Sequence, residues 1–111
     1  MNLSTSTTVV DGDVVISLSG EVDMATIPLL YDALSKALAY HPGRSLAIDL
    51  DGVTVLEDMG LGLLLGAAGS VRQAGADLAV ICSNVRLRER LELTGFSRAV
   101  DVIDGMKGDR S

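Results

Sequence analysis

The sequence predicts an α/β domain built on a single mixed β-sheet with helices packed against it. Three observations carry that prediction. Short β-rich runs alternate with helical runs along most of the chain, which is the signature of parallel strands joined by crossover helices. Two β-rich runs at the start, Thr7–Val10 and Val14–Leu18, flank Asp11-Gly12-Asp13, a turn signal that makes them an antiparallel hairpin. Aromatics are limited to Tyr31, Tyr40 and Phe96, while apolar residues reach 48%. The core is therefore built from Leu, Val, Ile and Ala, the composition of helices lying on a sheet.

The elements follow in order. In the second strand Val14, Ile16 and Leu18 alternate with Val15, Ser17 and Ser19, so one face is apolar. Thr26 is placed as the N-cap of a first helix, with Pro28 in its first turn. Ile27, Leu30, Tyr31, Leu34 and Leu38 form its apolar face, and His41-Pro42-Gly43 ends it. Ser45–Leu50 reads as a short strand, with Val53–Leu56 continuing as extended chain. A second helix is expected over Met59–Ala74, with Gly75 as its C′ residue. Its core face by spacing is Leu61, Leu64, Leu65, Ala68 and Val71, leaving Leu63 and Ala67 off that face. Leu78–Ile81 reads as a buried parallel strand. Ser83 or Asn84 caps a third helix reaching Thr94, Gly95 ends it, and Val100–Ile103 forms a last strand. The order is β-β-α-β-α-β-α-β in one domain, residues 1–111, with a core of about 7–103 and a frayed tail over 104–111.

Charge and composition exclude several classes. A formal net charge of −6 lacks the basic footprint of a nucleic-acid binder. The one basic cluster, Arg86, Arg88 and Arg90, is interleaved with Glu89 and Glu92 and reads as a solvated helix face. A single cysteine, Cys82, forms no internal disulfide and reads as a buried, inert thiol. One histidine and one cysteine are too few for a zinc site, and no metal or other cofactor is expected. The N-terminus lacks a basic start and a long apolar run, and no stretch approaches the ~20 apolar residues of a membrane span. A cytoplasmic protein with no membrane partner is expected.

The segment "VLEDMGLGLLLGAAGS", from Val55 to Ser70, carries the functional question. Glu57 and Asp58 stand at the start of a helix nearly free of charge and dotted with Gly62, Gly66 and Gly69. Asp58 reads as an N-cap, where its carboxylate also meets the positive end of the helix dipole. The smooth helix beyond it is either fully buried or a docking surface, and burial is favoured because small residues allow close helix–sheet packing. No Ser-His-Asp set, P-loop or dinucleotide fingerprint is present, so an enzyme is not expected. An alternative keeps Glu57, Asp58, Asp49 and Asp51 together at strand ends as a phosphoryl-accepting or Mg²⁺-binding site.

The stretch "LDGVTVLEDMGLGLLLGAAGSVRQAGADLAVICSNVRLRERLELTGF" resembles the STAS domain, and within it the bacterial anti-sigma factor antagonists. The matching positions are Asp49, Leu50, Val53, Leu56, Gly60, Leu61 and Gly62, then Ala74-Gly75, Leu78, Leu91 and Thr94-Gly95-Phe96. Upstream, "LSGEVDMAT" is similar to the family's strand exit. The resemblance implies a small mixed-sheet fold and a regulatory protein–protein switch. An unphosphorylated antagonist binds an anti-sigma factor that is also a serine kinase, which frees a sigma factor. Phosphorylation of the first serine in D-S-S-G breaks that complex. The partner surface it implies here comprises Asp23, Thr26, Glu57, Asp58, Met59, Gly60, Leu61, Gly62 and Leu63. A scaffold role in a larger signalling assembly, or a homodimer, is left open. The motif departs at the switch itself: Glu57-Asp58-Met59-Gly60 replaces D-S-S-G, so Asp58 takes the phospho-acceptor position and no serine is there to modify. Three readings stay open: the chain binds an anti-sigma factor without being switched off, the fixed charge of Asp58 holds it in a weakened, phosphorylated-like state, or it serves another partner; in the second, removing the charge tightens docking.

Overall fold

The structure, a computed structural model, describes residues 2–104. The elements are β1 (Leu3–Val10), β2 (Asp13–Val22), α1 (Ile27–Tyr40), β3 (Leu46–Leu56), α2 (Asp58–Gln73), β4 (Leu78–Ile81), α3 (Val85–Leu93), α4 (Phe96–Ala99) and β5 (Asp101–Ile103). One five-stranded sheet runs in the order β1-β2-β3-β4-β5. Only β1–β2 is antiparallel; the other pairs are parallel. Parallel neighbours in chain order, joined by right-handed crossovers, put their connecting helices on one face of the sheet.

That face holds the core. Val14, Ile16, Leu46, Ile48, Leu78 and Val80 project from the central strands and meet Leu30, Leu34, Leu64 and Val71 from the helices. The alternation in β2 thus does what its period of two requires. The hairpin turn has Asp11 at φ 53° and Gly12 at φ 88°, the left-handed pair of a type I′ turn. Both strands run further than the sequence predicts, because β1 pairs with β2 back to Gly20. Gly20 is needed there: at φ 115°, a Cβ would lie 1.9 Å from the Asn2 carbonyl oxygen.

Several expectations are corrected. Ser45–Leu50 and Val53–Leu56 are not separate pieces but one strand, β3, whose pairing with β2 shifts register between Ser17 and Ser19 and again after Gly20. The irregularity absorbs the turn signal at Asp51-Gly52 without ending the strand. Tyr31 is not in the core but 60% exposed, and Ala33 and Ala37 are buried instead. Small side chains let that flank of α1 approach the sheet closely. In α2 the same rotation exposes Leu65 and buries Ala67. The short α4, absent from the sequence reading, follows Gly95 at φ 82° and seats Phe96 in the core. Its four residues are too few for a periodic signal. Most of the tail expected over 104–111 lies outside the described residues.

The start of α2 is fixed by one tight contact. Gly60 sits against the end of β2, where a Cβ would fall 2.5 Å from Val22 Cγ1 and 3.1 Å from Leu56 Cδ1. Val22 is fully buried and its β-branched side chain has little rotamer freedom, so it cannot yield. Gly66, by contrast, has open space where its Cβ would be.

Urea denaturation of three variants checks this packing. Leu64, completely buried under α2, should cost about 2–5 kcal/mol on truncation to Ala. Gly66→Ala should stabilise by up to about 1 kcal/mol through helix propensity. Gly60→Ala should instead destabilise, because overpacking of about 1–3 kcal/mol outweighs that gain. Equal responses of Gly60 and Gly66 would contradict the contact with Val22.

Candidate functional site

The proposed surface lies where β2 and β3 outrun the rest of the sheet. β4 pairs only with Leu46–Asp49, so Val53–Leu56 reaches beyond it with β2 alone as neighbour. The Glu57 N–H donates to the Val22 carbonyl oxygen at 3.0 Å, which ties the start of α2 to the end of β2. The loop after β2 and the first turn of α2 therefore sit side by side. Asp23 and Glu57–Leu63, far apart in sequence, become neighbours.

The β2–α1 loop is held from inside. Thr26 is completely buried. Its hydroxyl donates to the Glu21 carbonyl oxygen at 2.7 Å and accepts from the Asp23 N–H at 3.0 Å. The Thr26 N–H in turn donates to Asp23 Oδ1 at 3.1 Å. Thr26 precedes α1 as predicted, but its side chain caps no helical N–H. It closes the loop and orients Asp23 instead.

At α2 the capping expectation is also corrected. Glu57 is the residue before the helix, in extended geometry and without a side-chain cap, and Asp58 is the first helical residue. The Asp58 carboxylate accepts from Arg90 Nη2 at 2.6 Å. Asp58 still lies in the first turn, where the helix dipole favours an anion by about 0.3–1 kcal/mol. The ion pair is largely solvated, Asp58 being 87% exposed, so its own contribution is under about 1 kcal/mol. Its interest lies in charge: the guanidinium offsets the carboxylate at the mouth of the helix.

The arginine cluster is thus not merely a solvated face. Arg90 grips Asp58, and Arg88 donates to the Cys82 carbonyl oxygen at 3.0 Å. α3 is started by Asn84, whose Oδ1 accepts from the Leu87 N–H at 3.1 Å, which decides between the two predicted caps. Arg90 was missed as a site residue because it stands 32 positions from Asp58, with nothing local to connect them. Cys82 is buried, and burial pushes its thiol above the ordinary range, as expected of an inert cysteine.

Exposure sorts the nine predicted surface residues. Glu57, Asp58, Met59 and Gly62 are exposed, and Asp23 and Leu63 are half-buried. Thr26, Gly60 and Leu61 are buried and so support the surface rather than form it. Met24 and Val55, not singled out in the sequence, add exposed apolar area at its edge. The outer side of α2, with Gly62, Leu65, Gly66 and Gly69, is uncovered rather than buried. The four-acid alternative is not assembled. Asp51 is engaged by the Ser83 N–H at 2.7 Å and by the Ser83 hydroxyl at 3.0 Å, while Asp58 is engaged by Arg90. Among the described residues no three His, Cys, Asp or Glu side chains are grouped to hold a metal ion. Also among them, no helix is long and apolar enough to cross a membrane.

Comparison with known proteins agrees with this architecture. The family model for the STAS domain matches residues 4–107. The anti-sigma-B factor antagonist of Staphylococcus aureus is 28% identical over 105 residues, covering 95% of this chain and 96% of that protein. The protein of the same description in Listeria monocytogenes is 33% identical over 87 residues, covering 78% and 75%. Among solved structures, an anti-sigma factor antagonist from Mycobacterium paratuberculosis superimposes with a TM-score of 0.86 at 28% identity, covering 95% of this chain and 88% of that one. A STAS domain protein from Planctomyces limnophilus shares the fold at a TM-score of 0.81 and 16% identity, covering 93% and 91%. With the sheet order, the seated α2 and the family match in agreement, this chain belongs to the STAS domain family.

Proposed function

We propose that this chain is an anti-sigma factor antagonist that works in the cytoplasm by binding rather than catalysis. It docks an anti-sigma factor of the serine-kinase type with the start of α2 and the adjoining β2–α1 loop, and so releases a sigma factor. Two things support the reading: relatives described as antagonists match along nearly the whole chain, and the exposed first turn of α2 is joined to the β2–α1 loop by a backbone hydrogen bond.

The observation that carries the switch state is the Asp58–Arg90 pair. A phosphoserine carries about −1.5 to −2 charges. Asp58 carries about one, and Arg90 offsets it at 2.6 Å. With Asp58 offset, the exposed Glu57 carboxylate is left as the charge at the start of α2, and D-S-S-G carries an acid at the same position before phosphorylation. This pairing favours the reading in which the chain binds without being switched off over the weakened, phosphorylated-like one. The chain binds constitutively, with no serine to switch it off. Thr54, the nearest hydroxyl in the sequence, is exposed, and its Oγ1 donates to the Gly20 carbonyl oxygen at 3.2 Å, which ties it to β2.

Calorimetry against one purified anti-sigma kinase, at fixed salt, tests this with two variants. Asp58→Ser should leave affinity within about twofold. Arg90→Gln, which uncovers the carboxylate, should weaken binding about fivefold, equivalent to ~1 kcal/mol. A fivefold tightening by Asp58→Ser would instead show a protein held in a weakened, phosphorylated-like state. Incubated with the kinase and ATP, the wild-type chain should gain no phosphate between residues 55 and 62 by mass spectrometry. Phosphate on Thr54 would restore a switch in altered form.

A further inference from the structure

The two edges of the sheet are unlike each other. β5 is three residues long and carries Asp101, the short, charged kind of edge that resists pairing. β1 is eight residues long, LSTSTTVV, with no charge and no proline. Its pairing with β2 is continuous from Leu3 to Val10, without a bulge. Nothing on this strand blocks the addition of another.

The hydrogen-bonding parity of the free side can be worked out. The Asn2 carbonyl oxygen accepts from the Glu21 N–H at 2.6 Å, so Asn2 faces β2. The type I′ turn closes on Val10 and Asp13, which are paired, and such a turn bonds its closing pair. Even-numbered residues of β1 therefore face β2, and Leu3, Thr5, Thr7 and Val9 offer their N–H and C=O groups outward. These four are also self-matching. Laid antiparallel about a twofold axis at Ser6, Leu3 meets the second copy's Val9 and Thr5 meets its Thr7. Like side chains pair with like, as an isologous interface requires. Two chains of net charge −6 meet there without opposing charges.

A second observation lies on the same edge. Tyr31, Leu34, Ser35 and Leu38 line the groove between α1 and α2. Leu29 and Tyr40 fall on the opposite flank of α1, beside β1, and are 46% and 73% exposed, with Val9 at 52%. The uncharged edge is thus bordered by Leu29, Tyr40 and, between them on the same flank, the exposed Asp32–Lys36 ion pair, whose charges balance.

We propose that β1 is a dimerisation edge. Two copies of this chain join β1 to β1 in antiparallel register centred on Ser6, forming one continuous ten-stranded sheet, with Leu29 and Tyr40 of each copy closing over the seam. The docking surface at α2 is not involved, so this inference stands apart from the proposed function.

Sedimentation equilibrium of the wild-type chain up to its highest soluble concentration should show a monomer–dimer equilibrium. Thr7→Pro removes an outward N–H that β2 does not use, and Thr7→Lys places charge on the seam. Each should weaken dimerisation at least about tenfold while circular dichroism stays unchanged. Should the proline variant unfold, the exposed lysine position decides alone. Ser6→Cys should cross-link on oxidation, because a non-hydrogen-bonded pair sits about 4.5 Å apart at Cα, within disulfide reach. Ser4→Cys should not, since the register separates the two copies of residue 4 by about 13 Å. A wild type that stays monomeric, a dimer indifferent to Thr7→Lys, or equal cross-linking at residues 4 and 6 would overturn the proposal.

Discussion

The contact between Gly60 and Val22 governs where the helix meets its neighbours. A side chain at residue 60 would overlap Val22 at 2.5 Å, so only a glycine lets the first turn of α2 settle onto the end of β2. From that seating follow the bond from Glu57 to Val22, the exposure of Asp58 and Met59 beside the β2–α1 loop, and the reach of Arg90 to Asp58. Below the surface, Thr26 holds the neighbouring loop with three hydrogen bonds among Glu21, Asp23 and itself. The supports of the surface are thus buried, while Glu57, Asp58, Met59 and Gly62 stand exposed on it.

The physics of the site is mostly that of charge at a helix start. A bare carboxylate in the first turn is welcome to its own helix, but it alters what an approaching partner meets. Arg90 changes this locally without burying either charge. A solvated pair contributes little to stability, so it acts on the charge of the surface more than on the fold. The glycines further along α2 belong to the same picture. Gly62, Gly66 and Gly69 have room for a Cβ, so packing within the chain does not call for them, and the flat side they leave faces outward.

Much of this was legible from residues alone because the signals were periodic or local. The alternation of Val14, Ile16 and Leu18 placed one face of β2. Gly75 and Gly95 marked helix ends, both at positive φ. Helix faces were less secure: spacing alone put Tyr31 and Leu65 inside, where the structure buries Ala33, Ala37 and Ala67. Hydrophobic size says little about which side of a helix comes closest to a sheet, and alanine wins where the approach is tight. Turn residues misled at Asp51-Gly52, because a register shift in the pairing with β2 lets the strand continue. At the site, the motif positions named the surface but not its supports. That Thr26 lies within, and that Arg90 meets Asp58 across 32 residues, depends on how α2 and α3 are placed by the sheet.

Docking through the start of α2 is decided by where a partner lands. An NMR titration of the isotope-labelled chain with a purified anti-sigma kinase maps that directly. Amide signals of Met24 and of residues 57–63 should shift or broaden first, followed by the exposed side of α2 around Gly66, while those of α3, α4 and β5 away from Arg90 stay in place. Perturbation concentrated on Glu89, Glu92 and Asp101, with the first turn of α2 silent, would contradict it.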